Sequence, residues 1–361
     1  MRKALLTTIL ILCLSGIASA ADKGFTTMEH PWVMRSVKAL GMGNANYVKS
    51  NDKYAPFYNP AGLARIKEGK VELIPLSIGL NDKVLDFYSD YEDTDLDDEE
   101  QLANMLVDHV GELEHVDFNF YPAYARKNFV FGIFAAGQVN ASPDNPVLPE
   151  LNTDITADAG VVAGIGMSFL EDKLQLGIAG RFQMRQSYVR SFTFNDIASG
   201  ELEEIELDDA DEGQGVLADV GVIYNIYNDG INPRVGLAVN NLGMNSMGDA
   251  EDIPYSATIS AGISPSYSDF ITSDIIIDIV DVTTNYDEDS DWGKRVNFGA
   301  EVRFWDTIAL RGGFHQGYPT YGVGLDLWIL TVDYAFYTEE VGAYAGQQKD
   351  NRHALEFALG W

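Results

Sequence analysis

From Arg295 to Trp361 the chain alternates, residue by residue, between apolar and small or polar side chains. In Arg295–Trp305, Val296, Phe298, Ala300, Val302 and Phe304 share one face, and Asn297, Gly299, Glu301 and Arg303 the other. The same period runs through Thr307–Gln316, Thr320–Trp328, Ile329–Thr338 and Arg352–Trp361. A period of two is the mark of a β-strand, whose successive side chains point to opposite faces. Further strands are expected at Gly69–Leu80, Asp117–Arg126, Asn128–Gly137, Ala159–Phe169, Leu174–Phe194, Gly215–Ile226, Pro233–Asn241, Tyr255–Ser264 and Phe270–Val282, which makes about fourteen. Charges recur opposite the apolar face. Alternation alone fits a soluble sandwich with its polar face outside, or a membrane barrel with apolar residues toward lipid and charges toward a lumen.

The connections separate these two. Lys127, Glu171–Lys173, Tyr227–Asn232, Pro265–Asp269, Asp306 and the Trp328/Ile329 junction are short. They alternate with Asn81–Val116, Gln138–Asp158, Asn195–Gln214, Gly243–Pro254, Thr283–Lys294, Gly317–Pro319 and Glu339–Asn351, all long except Gly317–Pro319. Outer-membrane barrels have an even strand number, short periplasmic turns and long outer loops, whereas a sandwich has no reason to sort loops by parity. Within the first long connection, Leu102, Met105, Leu106, Val110 and Leu113 have helical spacing, for a helix that caps the mouth or packs on the rim. Pro75 lacks an N–H, so it belongs at a bulge or edge-like position; Gly160, Gly164 and Gly166 are alternative places for a wall strand to kink.

The start of the chain points the same way. Arg2 and Lys3, the apolar run Ala4–Ile17 and Ala18-Ser19-Ala20 read as a signal peptide over residues 1–20, cleaved after Ala20. Cys13, the one cysteine, lies in that run, so the mature chain has no thiol chemistry. Residues 21–68 are too broken by turn residues for barrel strands and too apolar for a free tail, which suits a compact plug, and 69–361 would be the barrel.

Ala39-Leu40-Gly41-Met42-Gly43 followed by Tyr58-Asn59-Pro60-Ala61-Gly62-Leu63 resembles the start of outer-membrane proteins of the FadL-like superfamily. That superfamily includes long-chain fatty-acid and aromatic-hydrocarbon channels, PorV/PorQ proteins of type IX secretion and a TraF-like group. Asp333–Tyr344 also resembles the ends of its uncharacterised members. The resemblance implies an all-β fold, a transmembrane antiparallel barrel with an N-terminal hatch, and makes Asn59, Pro60, Ala61 and Gly62 the hatch motif. It implies the outer membrane of a Gram-negative bacterium and passage of a hydrophobic small molecule. The alternative is a PorV-like or TraF-like docking barrel serving a secretion or transfer system, and a third reading is a plain structural barrel.

Several charges share the small-residue face and would line the lumen: Arg181, Arg185, Asp219, Asp278, Glu301, Arg303, Arg311, Asp326, Asp333 and Glu356. Charges removed from water must be paired, so these read as an inner salt-bridge lattice or as a polar route with arginines for a carboxylate headgroup. Phe357, Leu359 and Trp361, an aromatic ending on alternate steps, read as an insertion signal for the barrel-assembly machinery. Tyr121, Tyr124, Tyr224, Tyr227, Tyr255, Tyr321 and Trp328 are candidates for interfacial girdles.

Net charge is −31, about −33 without Arg2 and Lys3, which argues against nucleic acid as a partner. The acidic runs at Asp90–Glu100 and Asn195–Gln214 lack the calcium-loop pattern and read as solvated, self-repelling loops. The other reading lets them bind calcium or bridge cations to lipopolysaccharide; outer-membrane lipid is a partner in either case. No two of His30, His109, His115, His315 and His353 have metal-ligand spacing, and there is no nucleophile elbow or phosphate loop. No enzyme, cofactor or metal is expected.

Overall fold

The structure, a computed structural model, describes residue 29 and residues 34–95, 98–199, 210–227, 230–244, 246–268, 270–286 and 291–361. The expected signal peptide and half of the second acidic run lie outside these residues. The barrel is closed and antiparallel, with 14 strands. The first strand, β1, has two pieces, Lys70–Glu72 and Leu76–Asn81, and so does β2, Glu114–Phe120 and Ala123–Arg126. Then come β3 (Phe129–Asp144), β4 (Glu150–Phe169), β5 (Leu174–Thr193), β6 (Asp211–Asn225) and β7 (Arg234–Gly243). The next, β8, is Ser256–Ile263 with Ser266–Ser268, and β9 is Ile271–Ile279. The last five are β10 (Val296–Phe304), β11 (Ile308–His315), β12 (Tyr318–Leu327), β13 (Leu330–Glu340) and β14 (Lys349–Leu359). Each strand pairs with the next, and β14 returns to β1 through Leu355 opposite Ile78 and Phe357 opposite Leu76.

Alternation now has a direction. Val323 is 49% exposed and Phe357 47%, on the outer side with Leu310 and Leu359. In a sandwich these side chains would be sealed between sheets. Here they form a lipid-facing belt, while Glu301, Arg311, Asp333 and Glu356 are buried inside. Exposed aromatics collect at the short-turn rim: Tyr124, Tyr224, Tyr227, Phe270, Trp305, Trp328 and Trp361. The Trp305-Asp306 turn is tight, with φ of 50° and 53°, and Trp305 stacks on Phe270 at 6.0 Å. No helix among the described residues is long and apolar enough to cross a membrane, which leaves the strands to do so.

Four expectations need correction. Gln138–Asp158 is not a loop: β3 and β4 continue as a hairpin to Asp144 and Glu150. At 20 residues each, β4 and β5 are roughly twice the ~10 a tilted strand needs to cross a bilayer, so they stand well above it. The helical stretch before β2 is two helices, α2 (Val84–Asp93) and α3 (Glu99–Asp108), to which Val110 and Leu113 do not belong. They do not cap the mouth. Leu102, Met105 and Leu106 pack with Leu151, Ile155, Tyr188 and Phe192, which have the outward parity of their strands, so the helices clothe the outer face of the tall hairpins where lipid no longer covers it. Tyr121 is not in a girdle; it points inward. Gly160, Gly164 and Gly166 sit in unbroken pairing with β5 and kink nothing.

Candidate functional site

The wall is interrupted together in two neighbouring strands, β1 and β2; β8 is also in two pieces, and the β6–β7 register shifts between Ala218 and Val220. In β1 the ladder lapses over Leu73–Pro75, and in β2 over Tyr121–Pro122. Below the lapse Glu72 pairs with Ala123; above it Leu76 pairs with Phe120. Three residues thus face two, and each strand has a proline with no N–H to give. One long hydrogen bond, Tyr121 N to Pro75 O at 3.3 Å, spans the gap.

Behind this break lies the chain's own N-terminal segment. Residues 34–64 are nearly all buried against the inner wall. The helix α1 (Val37–Leu40) packs on Ala335, Tyr337 and Ala354. Short 3-10 helices follow, of one turn at Ala55–Phe57 and two at Pro60–Arg65. Asn59 caps the second, accepting from Ala61 N at 3.0 Å with its Oδ1, while its Nδ2 reaches Val222 O and Leu237 O at 3.4 and 3.5 Å. Pro60 suits the first helical position, where its missing N–H is not needed. The chain then passes so near the wall that side chains are excluded. A Cβ on Gly221 would lie 1.9 Å from Asn59 Oδ1, one on Gly177 2.2 Å from Pro60 C, and one on Gly62 2.1 Å from Ser50 O. Across the lumen a Cβ on Gly299 would meet Met42 O at 2.1 Å. The inward glycines of the strands are therefore the mould of this segment.

Charge completes the fit. The segment carries Arg35, Lys38, Lys49 and Lys53 against one acid, Asp52. Lys49 reaches Glu301 at 2.6 Å and Asp274 at 3.1 Å; Lys53 reaches Glu72 at 2.5 Å and Glu356 at 3.0 Å; Arg35 reaches Glu339 at 2.7 Å. Asp278 accepts from the backbone of Asn46 and Tyr47. Among the predicted lumen charges, Arg311 links Glu301 and Asp333 at 2.7 and 2.5 Å, and Arg185 holds Asp158 at 2.8 Å. Arg181 lies 3.7 Å from Asp219 and over the Phe57 ring. Arg303 and Asp326 share the inward parity of their strands but are part-exposed at the short-turn end, Arg303 3.4 Å from Glu301 and Asp326 3.7 Å from Lys70. Periodicity singled out Glu301, Glu356 and Asp278 among the acidic wall partners but missed Glu72, Asp274 and Glu339, and with them Arg35, Lys49 and Lys53; a net-basic stretch in so acidic a chain was the available signal.

At the wall break the contacts are aromatic. Tyr121 donates to Lys53 O at 3.0 Å and meets Phe57 edge-on at 5.4 Å; Phe57 meets Phe134 likewise at 5.5 Å, and Tyr54 lies 5.6 Å from Tyr121. With Ala123, Val130 and Val162 they form an apolar pack between the break and the segment. These side chains fill the space between the break and the segment. A cavity of about 30 Å³ lies higher in the lumen and is mostly polar, lined by Arg35, Asp117, Asn119, Gln138, Thr156 and Asp158 among others.

No family model matches the sequence, and no curated protein does. Solved structures do. A "CymD monoaromatic hydrocarbon channel" is similar over 93% of this chain and 98% of its own, at 13% identity and a TM-score of 0.51. A "TodX deltaS2S3 mutant monoaromatic hydrocarbon channel" is similar over 92% and 98%, at 11% identity and a TM-score of 0.52. This chain has the fold of those structures, a closed antiparallel barrel of 14 strands. Both of those structures are described as channels.

Proposed function

We propose that this FadL-like barrel passes small hydrophobic molecules across the outer membrane, with residues 34–66, including Asn59, Pro60, Ala61 and Gly62, as its hatch. The observation that carries this reading is the joint interruption of β1 and β2, backed by the rings of Tyr54, Phe57, Tyr121 and Phe134, with the Lys53–Glu72 ion pair at its lower edge. An apolar solute leaving the polar upper lumen finds there a seam with few backbone bonds between β1 and β2 to break and aromatic side chains beside it. Elsewhere the segment is held by ion pairs, and inner charges such as Arg181, Arg185 and Asp219 serve as a lattice that keeps it seated. Phe357, Leu359 and Trp361, all on the outer face, act as the insertion signal for the assembly machinery, and the outer belt meets membrane lipid and lipopolysaccharide.

The test is uptake of labelled long-chain fatty acids, alkanes and toluene into liposomes holding the folded protein. Uptake above protein-free liposomes is expected, with Tyr121→Ala changing the rate several-fold. If heat-modifiable, folded protein passes none of these solutes, the channel reading is abandoned. A docking barrel, which has no need of an empty lumen, then becomes the better account.

A further inference from the structure

His109, Glu112 and Glu114 meet at the outer rim, on the outside of the barrel. His109 follows the last turn of α3, and Glu114 is the first residue of β2. One donor atom from each lies within 4.8 Å of the others. Glu114 points to the outward side of its strand, above the lipid belt, yet the excursion between β1 and β2 folds over it and leaves it 3% exposed. Neither of its carboxylate oxygens has a hydrogen-bond partner among the described residues. A carboxylate taken out of water without a partner is costly, and such a group calls for a cation. Lys83 does not meet this need: it bonds Glu112, and its side chain is half in solvent.

The surroundings favour a metal ion over another lysine. Asp90 Oδ2 lies 3.0 Å from His109 Nε2. Accepting that N–H would fix the tautomer and turn the Nδ1 lone pair toward the two glutamates, as a carboxylate behind a ligating imidazole does. Glu112 Oε2 is already 3.1 Å from Nδ1, so an ion would enter between them. We propose that His109, Glu112 and Glu114 bind a divalent transition-metal ion that fastens the end of α3 to the start of β2. One imidazole and two carboxylates suit zinc, manganese or iron better than calcium, which prefers oxygen alone. The bound ion would pin down the collar of helices over the tall hairpins. The spacing His-x2-Glu-x-Glu, across a turn rather than on one helix, lies outside the paired-histidine patterns of the sequence reading.

The experiment is calorimetric titration of the whole folded protein in detergent, stripped with chelator, with zinc chloride alone as ligand. Excess magnesium and calcium occupy the acidic loops throughout. One zinc per chain is expected, with a rise in unfolding temperature. His109→Gln and Glu114→Gln should abolish both, and Asp90→Asn should weaken binding by about 10-fold. His353→Gln, at a separate rim contact with Asp82, should change neither. Heat-modifiable migration establishes that each variant is folded; should Glu114→Gln fail there, His109→Gln decides alone. Zinc binding that survives in the folded variants overturns the proposal, as does a site that calcium fills equally well. The result bears on the rim alone and is independent of uptake.

Discussion

The internal segment meets two kinds of wall. Along β5, β10 and β11 it lies backbone against backbone, in clearances only glycine allows, with Gly177, Gly299 and Gly313 as the contact points. Along β1, β2 and β3 it meets the wall through side chains, where the ladder lapses in two adjacent strands. A backbone contact cannot be adjusted by a rotamer change, whereas aromatic rings can turn and repack. The first wall therefore fixes where the segment sits, and the second is where the seal can give.

The largest effect should come from the rigid side. Gly299→Val puts its Cβ 2.1 Å from Met42 O, a backbone atom that cannot move without the whole turn, whose Gly43 is held at φ 65°. The barrel should still insert, since its outer face is unchanged, but the segment should be displaced. Planar-bilayer recordings are expected to show a steady conductance that the parent protein lacks, and residues 34–66 should become protease-sensitive. A silent, protease-resistant Gly299→Val would mean that the wall yields instead.

Next in size are the ion pairs, and the two lysines should differ. Removing one partner of a buried pair costs about 3–5 kcal/mol when the other is left alone. Lys53→Met leaves Glu356 with only the Tyr54 hydroxyl, 3.0 Å away, and should approach that range. Lys49→Met leaves Glu301 with Arg311 at 2.7 Å and should cost closer to ~1–2 kcal/mol. Urea unfolding in detergent measures both; equal losses would refute the claim that the lattice backs up one site and not the other.

This asymmetry was half legible in the sequence. The strands of β10 to β14 could be read because lipid demands an apolar residue at every second position, and Val296–Phe304 obeys. The upper parts of β3 and β4 could not, because above the bilayer that demand ends and Gln138–Asp144 and Glu150–Asp158 carry mixed side chains. Tyr121 shows two signals in conflict. Its type suggested an interfacial girdle, but its parity with Asp117 and Asn119 put it inside, and parity decided. Asn59 was found by resemblance rather than by physics: nothing local in Tyr58-Asn59-Pro60 says that Gly221, far along the chain, is hollowed to receive it.

On the yielding side the effects should show more in transport than in stability. Tyr121→Ala removes a buried ring and its bond to Lys53 O, at about 3 kcal/mol if the site does not collapse. It also empties the space beside the break, so apolar uptake should rise while ion conductance stays low. Uptake and conductance rising together would indicate that the segment had left altogether, and the two walls would not be distinct.

The smallest predicted change tests the hinge between them. Asn59 stands where the segment turns from the aromatic wall into the glycine clefts of β5 and β6. Asn59→Ala loses the cap on Ala61 N and two long bonds to the wall carbonyls, for about 1–2 kcal/mol. Pro60 still holds its φ and the glycine clefts still exclude every other path, so the segment should remain in place and the barrel closed to ions. Only opening should become easier, which predicts a modest rise in uptake of apolar solutes with an unfolding midpoint barely lowered. A loss of uptake in this variant would instead assign Asn59 a direct part in holding the solute, and the hinge would have to be sought elsewhere in the segment.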